Sequence, residues 1–268
     1  MGSQQHTPIP IINLPNATLL KLLFCAPSGD IWMSFGMEWT PEARAGLREA
    51  LADMKGPVEA LVFVEEGCEP CEATIEMMQV MKEESPKVNG KPYFDYKVFW
   101  RGKDDEAFDK YKVDRVPSVL LLDGYIRYTG IPAGEEVKGF VETVIRISEN
   151  ESGLDEETKE GLKKLKGCYY IENVVTPQCP YCPYAALLIN MFAFEAKKQG
   201  NPCVVADTVE AYENEDIADK YNVMSVPAIA INGNVEFVGV PYEDDLLAKL
   251  FEVEPKGPCE DEVCFVRP

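Results

Sequence analysis

An internal repeat constrains the fold of this chain more than any other feature of the sequence. Cys68 and Cys179 each open a Cys-x-x-Cys pair, and Pro117 and Pro227 each end a Val-Pro step. The offset between the copies is about 110 residues for both motifs, and a fixed offset of this size indicates two copies of one folding unit. The length of 268 residues also fits two domains of ordinary size.

Both copies show the same order of predicted elements. An apolar run precedes each cysteine pair, a predicted helix follows it, and another apolar run follows each Val-Pro step. The helix after the second pair is apolar over 185–194 except for Asn190, so we expect it to be buried or to lie between the copies. The turn residues at 123–124 and 232–233 then predict a hairpin in each copy, and amphipathic segments at 135–147 and 243–252 end the copies. Strands that alternate with helices in this way indicate the α/β class.

The repeat divides the chain into four segments. They are a leader that we expect to be poorly ordered (1–37), a first unit (38–150), a second unit (151–253) and an acidic tail that we expect to be flexible (254–268). The leader's apolar run is too short for a membrane span and lacks the basic start of a secretory signal. We therefore expect a cytoplasmic protein.

Composition excludes several classes of function. The chain has 46 acidic and 26 basic side chains, and its net charge of −20 repels phosphate backbones and anionic lipids. We therefore expect no nucleic-acid and no membrane partner. The single histidine, His6, leaves almost no material for a catalytic triad or a multi-histidine metal site, so we expect chemistry from cysteines or carboxylates and no bound metal.

The two cysteine pairs are the candidate catalytic sites. A Cys-x-x-Cys pair at a strand-to-helix junction places its first cysteine at the helix N-terminus, where free N–H groups and the helix dipole stabilise a thiolate. We assign Cys68 and Cys179 as the attacking thiols, and Cys71 and Cys182 as the thiols that resolve the mixed disulfide.

Two structural roles compete with this redox interpretation. Two Cys-x-x-Cys pairs can bind zinc together, and a single pair can form a static disulfide. The long segment of chain between Cys71 and Cys179 and the separate Val-Pro step of each copy favour two independent redox sites.

The segments around the cysteines resemble a known family. Cys179-Pro-Tyr-Cys182 has the glutaredoxin form of the motif, and Cys68-Glu-Pro-Cys71 keeps the proline that thioredoxin has before its second cysteine. Residues 176–183 and 221–227 are similar to the glutaredoxin-like protein disulfide oxidoreductases of thermophilic archaea and bacteria. The resemblance covers about residues 35–253 and implies two tandem thioredoxin-fold units, each a central mixed β-sheet flanked by helices.

The resemblance also implies how substrates bind. Pro117 and Pro227 would be cis prolines that face the cysteines, and the backbones of Val116 and Val226 would pair with an extended substrate peptide.

The activity that the resemblance implies is thiol-disulfide exchange. The redox-active disulfides would be Cys68–Cys71 and Cys179–Cys182, and the protein would reduce, form or isomerise disulfides in protein substrates. No cofactor would be bound, since electrons would come from NADPH through a thioredoxin-reductase-like flavoprotein. The sequence has no Gly-x-Gly-x-x-Gly motif, which agrees with a separate partner for that chemistry.

The two sites differ in local charge. Glutamates surround the first pair, at positions 65, 66, 69 and 72, whereas residues 176–184 carry no charge. Nearby carboxylates disfavour a thiolate, so we expect Cys179 to be the more acidic thiol and the C-terminal site to dominate. Thioredoxins also carry a buried acid about six positions before the first cysteine, where this chain has Val62 and Asn173.

The remaining cysteines receive no catalytic role. We interpret Cys168 and Cys203 as small buried residues. We expect Cys259 and Cys264 to lie in an uninvolved tail, and the alternatives are that they form a disulfide with each other or exchange with Cys179.

Three other functions stay open. They are a dedicated electron donor to a peroxidase or ribonucleotide reductase, a glutathione-dependent glutaredoxin, and a non-catalytic redox sensor or metal-binding protein.

Overall fold

A computed structural model describes residues 38–268, so the predicted leader and Cys25 lie outside the described residues. The helices are α1 (Pro41–Leu51), α2 (Glu69–Glu84), α3 (Asp105–Tyr111), α4 (Glu136–Glu149), α5 (Glu156–Leu162), α6 (Cys182–Lys198), α7 (Glu215–Lys220), α8 (Glu243–Glu252) and α9 (Asp261–Cys264). The strands are β1 (Val58–Val64), β2 (Lys87–Val88), β3 (Lys91–Pro92), β4 (Phe94–Trp100), β5 (Ser118–Leu121), β6 (Ile126–Thr129), β7 (Tyr169–Val175), β8 (Val204–Glu210), β9 (Ala228–Ile231) and β10 (Asn234–Val238).

Eight of these strands form one continuous sheet that runs through both copies. The strand order is β10-β9-β7-β8-β6-β5-β1-β4, and the small hairpin of β2 and β3 stands apart. In each copy one neighbour of the central strand is parallel and the other is antiparallel, so the sheet is mixed. Both predicted hairpins are present, between β5 and β6 and between β9 and β10. The α/β class and the mixed sheet flanked by helices are therefore confirmed.

The two copies join where β6 of the first pairs in parallel with β8 of the second. Helices α4 and α6 pack together over this seam. Apolar residues occupy nearly every side of α6, as expected for a helix buried between the copies, and its Asn190 donates hydrogen bonds to Tyr128 Oη (2.9 Å) and Thr143 Oγ1 (3.1 Å) of the first copy. The sequence-based placement of this helix is confirmed.

The expectation of a flexible tail is wrong. Residues 254–268, here called the C-terminal strap, contain α9 and are tied to the second copy by disulfides Cys168–Cys264 and Cys203–Cys259, with Cα–Cα distances of 5.3 and 5.0 Å. Cys259 and Cys264 therefore do not pair with each other, and Cys168 and Cys203 are not free buried thiols. Sequence separations of 96 and 56 residues explain why no local pattern indicated these partners.

The strap reaches across the seam between the copies. Phe265 is 2% exposed, and its ring lies 5.0 Å from the ring of Tyr125 and 6.3 Å from that of Tyr111, both in the first copy. Backbone hydrogen bonds join the strap to the second copy at Cys168, whose N–H donates to the Gly257 carbonyl (2.8 Å). The strap thus fastens both copies together.

Arg267 inserts the strap's positive charge between two buried acids. Its guanidinium lies 2.8 Å from Glu172 Oε1 and 3.0 Å from Asp207 Oδ2, and both acids are fully buried. Glu172 is therefore a buried acid, although most glutamates of so acidic a chain are expected at the surface. Burial raises the pKa of Glu172, and Arg267 and the Tyr221 hydroxyl act in the opposite direction.

Candidate functional site

Both cysteine pairs begin a helix. The Sγ of Cys68 accepts a hydrogen bond from the N–H of Cys71 (3.2 Å), and the Sγ of Cys179 accepts one from the N–H of Cys182 (3.1 Å). The Cys68 sulfur thus occupies the place of a helix-capping oxygen, whereas the Cys179 sulfur accepts the N–H of the first residue of α6. Unpaired N–H groups at both helix starts favour negative charge on these sulfurs. The local sequence supports this geometry, because a proline lies at the start of both α2 and α6.

The two sulfurs of each pair differ in access. The structure pairs Cys68 with Cys71 and Cys179 with Cys182, with Cα–Cα distances of 5.2 and 5.5 Å. Cys71 and Cys182 are at most 1% exposed, whereas Cys179 is 7% exposed and Cys68 is more exposed still. The first cysteine of each pair is therefore the more accessible one.

Both Val-Pro peptide bonds, Val116–Pro117 and Val226–Pro227, are cis. Val226 packs against the buried cluster that contains Cys179 and Cys182. Within residues 38–268, the backbone N–H and carbonyl groups of Val116 and Val226 form no hydrogen bond to other backbone groups. Both valines thus keep a backbone donor and acceptor without a backbone partner among the described residues, and Val226 presents them next to the second cysteine pair.

Part of the acidic charge around Cys68 is neutralised. Two of the four glutamates have cationic partners, which are Arg101 for Glu65 (3.2 Å) and Lys103 for Glu66 (2.7 Å). The bond from Lys103 lowers the pKa of Glu66. The other two glutamates, at positions 69 and 72, remain exposed in the first turn of α2. The charge difference between the sites is thus smaller than the sequence indicates, but it persists.

One buried carboxyl near the second pair was not expected from the sequence. Glu136 begins α4 in the first copy and is 2% exposed, and neither of its carboxylate oxygens has a protein partner in the described part of the chain. The segment around it contacts both flanks of the second cysteine pair. The N–H of Glu135 donates to the Pro177 carbonyl (2.8 Å), and Gly139 lies directly against Pro183.

Burial changes the acidity of this carboxyl. Burial, followed by the charges of Glu135 and Glu210, raises the pKa of Glu136 to about 8. Such a carboxyl and a cysteine thiol exchange protons over the same pH range. The first copy thus supplies a buried acid near the second pair, where Asn173 replaces the acid of thioredoxins.

The described residues contain neither a cluster of metal-binding side chains nor a membrane-spanning helix. Across residues 38–268, no group of three or more histidine, cysteine or acidic side chains is arranged to hold a metal ion. In the same range, no helix is long and apolar enough to cross a membrane.

A thioredoxin-domain family model matches the chain twice, over residues 58–142 and 172–251. The chain belongs to the thioredoxin-domain family. Each match contains one cysteine pair and one cis-proline step, so the two copies of the repeat are two thioredoxin domains.

A solved structure extends the match across both domains. The protein disulfide oxidoreductase from Aeropyrum pernix k1 is 55% identical, with a TM-score of 0.78, and the match covers 80% of this chain and 92% of that one. A probable thioredoxin from Methanothermobacter thermautotrophicus is 40% identical over 76 residues, which are 28% of this chain and 85% of that protein. The resemblance to tandem protein disulfide oxidoreductases is therefore confirmed.

A larger protein contains a related region. An alkyl hydroperoxide reductase component from Pseudomonas aeruginosa is 28% identical over 140 residues, or 51% of this chain. The chain spans only 26% of the length of that relative.

Proposed function

We propose that this thioredoxin-family protein is a protein thiol-disulfide oxidoreductase with two active dithiols, of which Cys179–Cys182 dominates. One observation carries the proposal. In each domain, a reachable and a shielded cysteine share a helix N-terminus, and a cis Val-Pro step keeps a valine backbone that is free to pair. The similarity to the Aeropyrum enzyme over both domains supports the same class of reaction.

The reaction proceeds through a mixed disulfide. The Cys179 thiolate attacks one sulfur of a substrate disulfide, which forms a Cys179–substrate bond and releases the other substrate sulfur as a thiolate. Cys182 then loses its proton and attacks Cys179. The Cys179–Cys182 bond forms, the second substrate sulfur leaves, and two electrons have passed from the dithiol to the substrate. Cys68 and Cys71 act in the same order at the first site.

Glu136 is the proposed proton acceptor for Cys182. A resolving thiol that is fully buried cannot give its proton directly to bulk water, so it needs a base inside the protein. Glu136 lies in the segment that packs against both flanks of the pair, and its raised pKa suits proton exchange with a thiol. The second site of this enzyme would then depend on a residue of the first domain.

The expected substrates follow from the free valine backbones, and the expected electron source follows from the family resemblance. We expect disulfide-containing polypeptides to pair in extended form with Val226 at the second site and Val116 at the first. A thioredoxin-reductase-like flavoprotein would supply electrons from NADPH, and the enzyme itself would need no bound cofactor. We place the reaction in the cytoplasm.

A dedicated electron donor to a peroxidase is the second candidate function. The region shared with the alkyl hydroperoxide reductase component favours it, since 51% of this chain aligns there. A donor of this kind would reduce one partner protein far faster than a general disulfide substrate.

Insulin reduction tests the leading proposal. Dithiothreitol-driven reduction, followed by turbidity, should proceed with the wild type, fall mainly in Cys179→Ser and fall less in Cys68→Ser. An inactive wild type would contradict the oxidoreductase proposal and favour a redox-sensing or metal-binding protein. Equal losses in the two variants would contradict only the dominance of the second site.

A further inference from the structure

Several buried polar atoms in the region of the second cysteine pair have no protein partner within residues 38–268. They are both amide atoms of Asn173, Thr208 Oγ1, both carboxylate oxygens of Glu136, Glu210 Oε1 and Glu213 Oε2. Buried polar groups almost always have a hydrogen-bond partner, and internal water supplies it where protein does not. So many open positions in one region indicate a hydrated polar interior.

Strand register places several of these groups in a row. Asn173 of β7 pairs with Thr208 of β8, and Val175 pairs with Glu210 two positions further along. Residues two apart on a strand point to the same face, so the row lies on one side of the sheet. Val175 belongs to the same buried cluster as the second cysteine pair. The row therefore begins beside the reactive pair.

Glu210, the last member of this row, is connected to one further carboxyl group, that of Glu213. The N–H of Glu213 donates to Glu210 Oε2 (2.7 Å), and the N–H of Ile131 in the first domain donates to Glu213 Oε1 (2.8 Å). Each of these acids thus has one oxygen fixed by the backbone and one oxygen open. Glu136 is 2% and Glu210 is 3% exposed, whereas Glu213 is only half-buried. The three residues become more exposed in this order, but the open oxygen of Glu213 is itself shielded, so internal water must link it to solvent.

We propose that Glu210 and Glu213 form, with internal water, a proton relay between Glu136 and solvent. The proposal rests on the proposed function, because it starts from the proton that Cys182 gives to Glu136. That proton passes to Glu210, then to Glu213 and then to bulk water, while the electron pair of Cys182 forms the bond to Cys179. Reduction of the disulfide moves one proton inward along the same route.

The charges around the relay suit this task. The titratable groups that face Glu136 are Glu135, Glu210 and Tyr128, and Lys138 neutralises Glu135 through a direct ion pair. Glu213 faces Glu210, and burial raises the pKa of Glu213 to about 7. The buried position of these acids lets each take up a proton near neutral pH.

Single-turnover oxidation by dithiobis-nitrobenzoate separates the steps. In a full-length protein with Cys68→Ser and Cys71→Ser, attack by Cys179 releases the first nitrothiobenzoate, and resolution by Cys182 releases the second. Glu210→Gln combined with Glu213→Gln should leave the first phase unchanged. It should slow the second phase about tenfold, a modest part of what proton transfer contributes to catalysis, and increase its solvent deuterium isotope effect.

Matched variants distinguish a relay from a structural role. Glu195→Gln makes the same change at a buried glutamate of α6 that accepts a hydrogen bond from Ser152, and both phases should keep wild-type rates. Glu213→Asp retains a carboxyl and should keep a fast second phase. If Glu213→Asp is as slow as the glutamine variant, the side chain acts by packing and the relay is wrong.

The outcomes also separate this inference from the function on which it rests. A normal second phase in the double glutamine variant, together with a slow one in Glu136→Gln, overturns the relay and leaves the acceptor in place. If Cys179 releases no nitrothiobenzoate in the first phase, the proposed oxidoreductase function fails instead.

Discussion

At the scale of single residues, the position of a carboxyl group decides when it carries charge. Glu136 is enclosed by protein and has no partner for either oxygen among the described residues, so the protonated form is favoured in the folded state. The unfolded chain has no such preference. Proton uptake by this residue is therefore linked to folding.

This linkage predicts a dependence of stability on pH. The folded pKa of Glu136 is about 8 and its ordinary value is 4.5, so between these values the native state binds more protons than the unfolded state. The contribution of Glu136 to the free energy of unfolding is fully present below the unfolded pKa and is lost as pH rises toward 8. The free energy of unfolding should fall over this range by up to about 1.4 kcal/mol per pH unit because of this group. We expect urea melts from about pH 5 to 8 to show this pH dependence of the unfolding free energy in the wild type but not in Glu136→Gln. Parallel curves would contradict the linkage, and the exposed Glu157→Gln serves as the control.

The first cysteines of the two pairs, Cys68 and Cys179, should also differ in acidity. Both accept a helix N–H, but only Cys68 has exposed carboxylates, Glu69 and Glu72, in the first turn of its helix. In the reduced protein, iodoacetamide should therefore modify Cys179 at lower pH than Cys68, and Glu69→Gln with Glu72→Gln should narrow the difference. Glu76→Gln, further along the same helix, is the matched control. Alkylation of Cys68 at the lower pH would contradict the prediction that Cys179 is the more acidic thiol.

How far the sequence predicts the site depends on distance along the chain. The cysteines and the Val-Pro steps recur at a nearly constant offset, and each motif has its own physical reason, so they are identifiable without a structure. Glu136 stands far before Cys179 in the sequence and belongs to the other copy. Nothing local distinguishes it from the exposed glutamates of an acidic chain.

At the scale of elements, the C-terminal strap acts through the charge that it brings into the protein. Glu172 and Asp207 lie opposite each other on neighbouring strands and are fully buried, and Arg267 lies within 3.0 Å of both. Removal of one partner from a buried ion pair leaves an uncompensated charge. The strands that carry these acids thus depend on the strap for their stability.

Arg267→Met should therefore destabilise the protein by about 3 kcal/mol or more at neutral pH. Loss of the cation raises the pKa of Glu172 further, so the cost should shrink as pH falls and that carboxyl becomes neutral. Denaturant melts at acidic and at neutral pH measure both effects. Lys97→Met removes an exposed ion pair with Glu59 and should destabilise the protein far less than Arg267→Met does. Equal losses of unfolding free energy in the two variants would contradict the idea that Arg267 stabilises the protein by compensating buried acids.

Elements with a periodic pattern are predictable, and the strap is not. Helix α8 spans Glu243–Glu252, where its amphipathic pattern predicts it, because one apolar face suffices to identify a helix. The strap has a helix of only four residues and is held by two long-range disulfides and the buried side chain of Phe265. Such contacts leave no periodic signal in a sequence.

At the scale of the whole molecule, the two domains share a sheet, and the first domain supports the second site. Gly134 has a positive φ of +60°, and a Cβ atom there would lie 2.3 Å from the carbonyl oxygen of Pro177, just before Cys179 in the chain. No side chain fits between the domains at this point. The close approach sets the position of the loop that leads into the second cysteine pair.

Gly134→Ala in the first domain should therefore impair chemistry in the second. The added methyl group must displace the Pro177 loop, so alkylation of reduced Cys179 and insulin reduction should fall several-fold, while alkylation of Cys68 stays unchanged. Gly90→Ala is the control, because Gly90 has a φ of +78° and nothing within 4 Å of the added Cβ. Similar losses in both glycine variants would mean that backbone strain, and not the contact with Pro177, causes the effect.

The disulfide between Cys168 and Cys264 also has a mechanical consequence. It closes a covalent ring over a sequence separation of 96 residues, and this ring contains the second cysteine pair and Pro227. A pulling force applied to the two ends of the chain passes through the disulfide and bypasses the ring. At about 3.4 Å per residue, the ring corresponds to roughly 330 Å of extended chain. This length cannot be stretched until the disulfide is reduced. The second cysteine pair of this oxidoreductase is therefore shielded from tension by a disulfide bond.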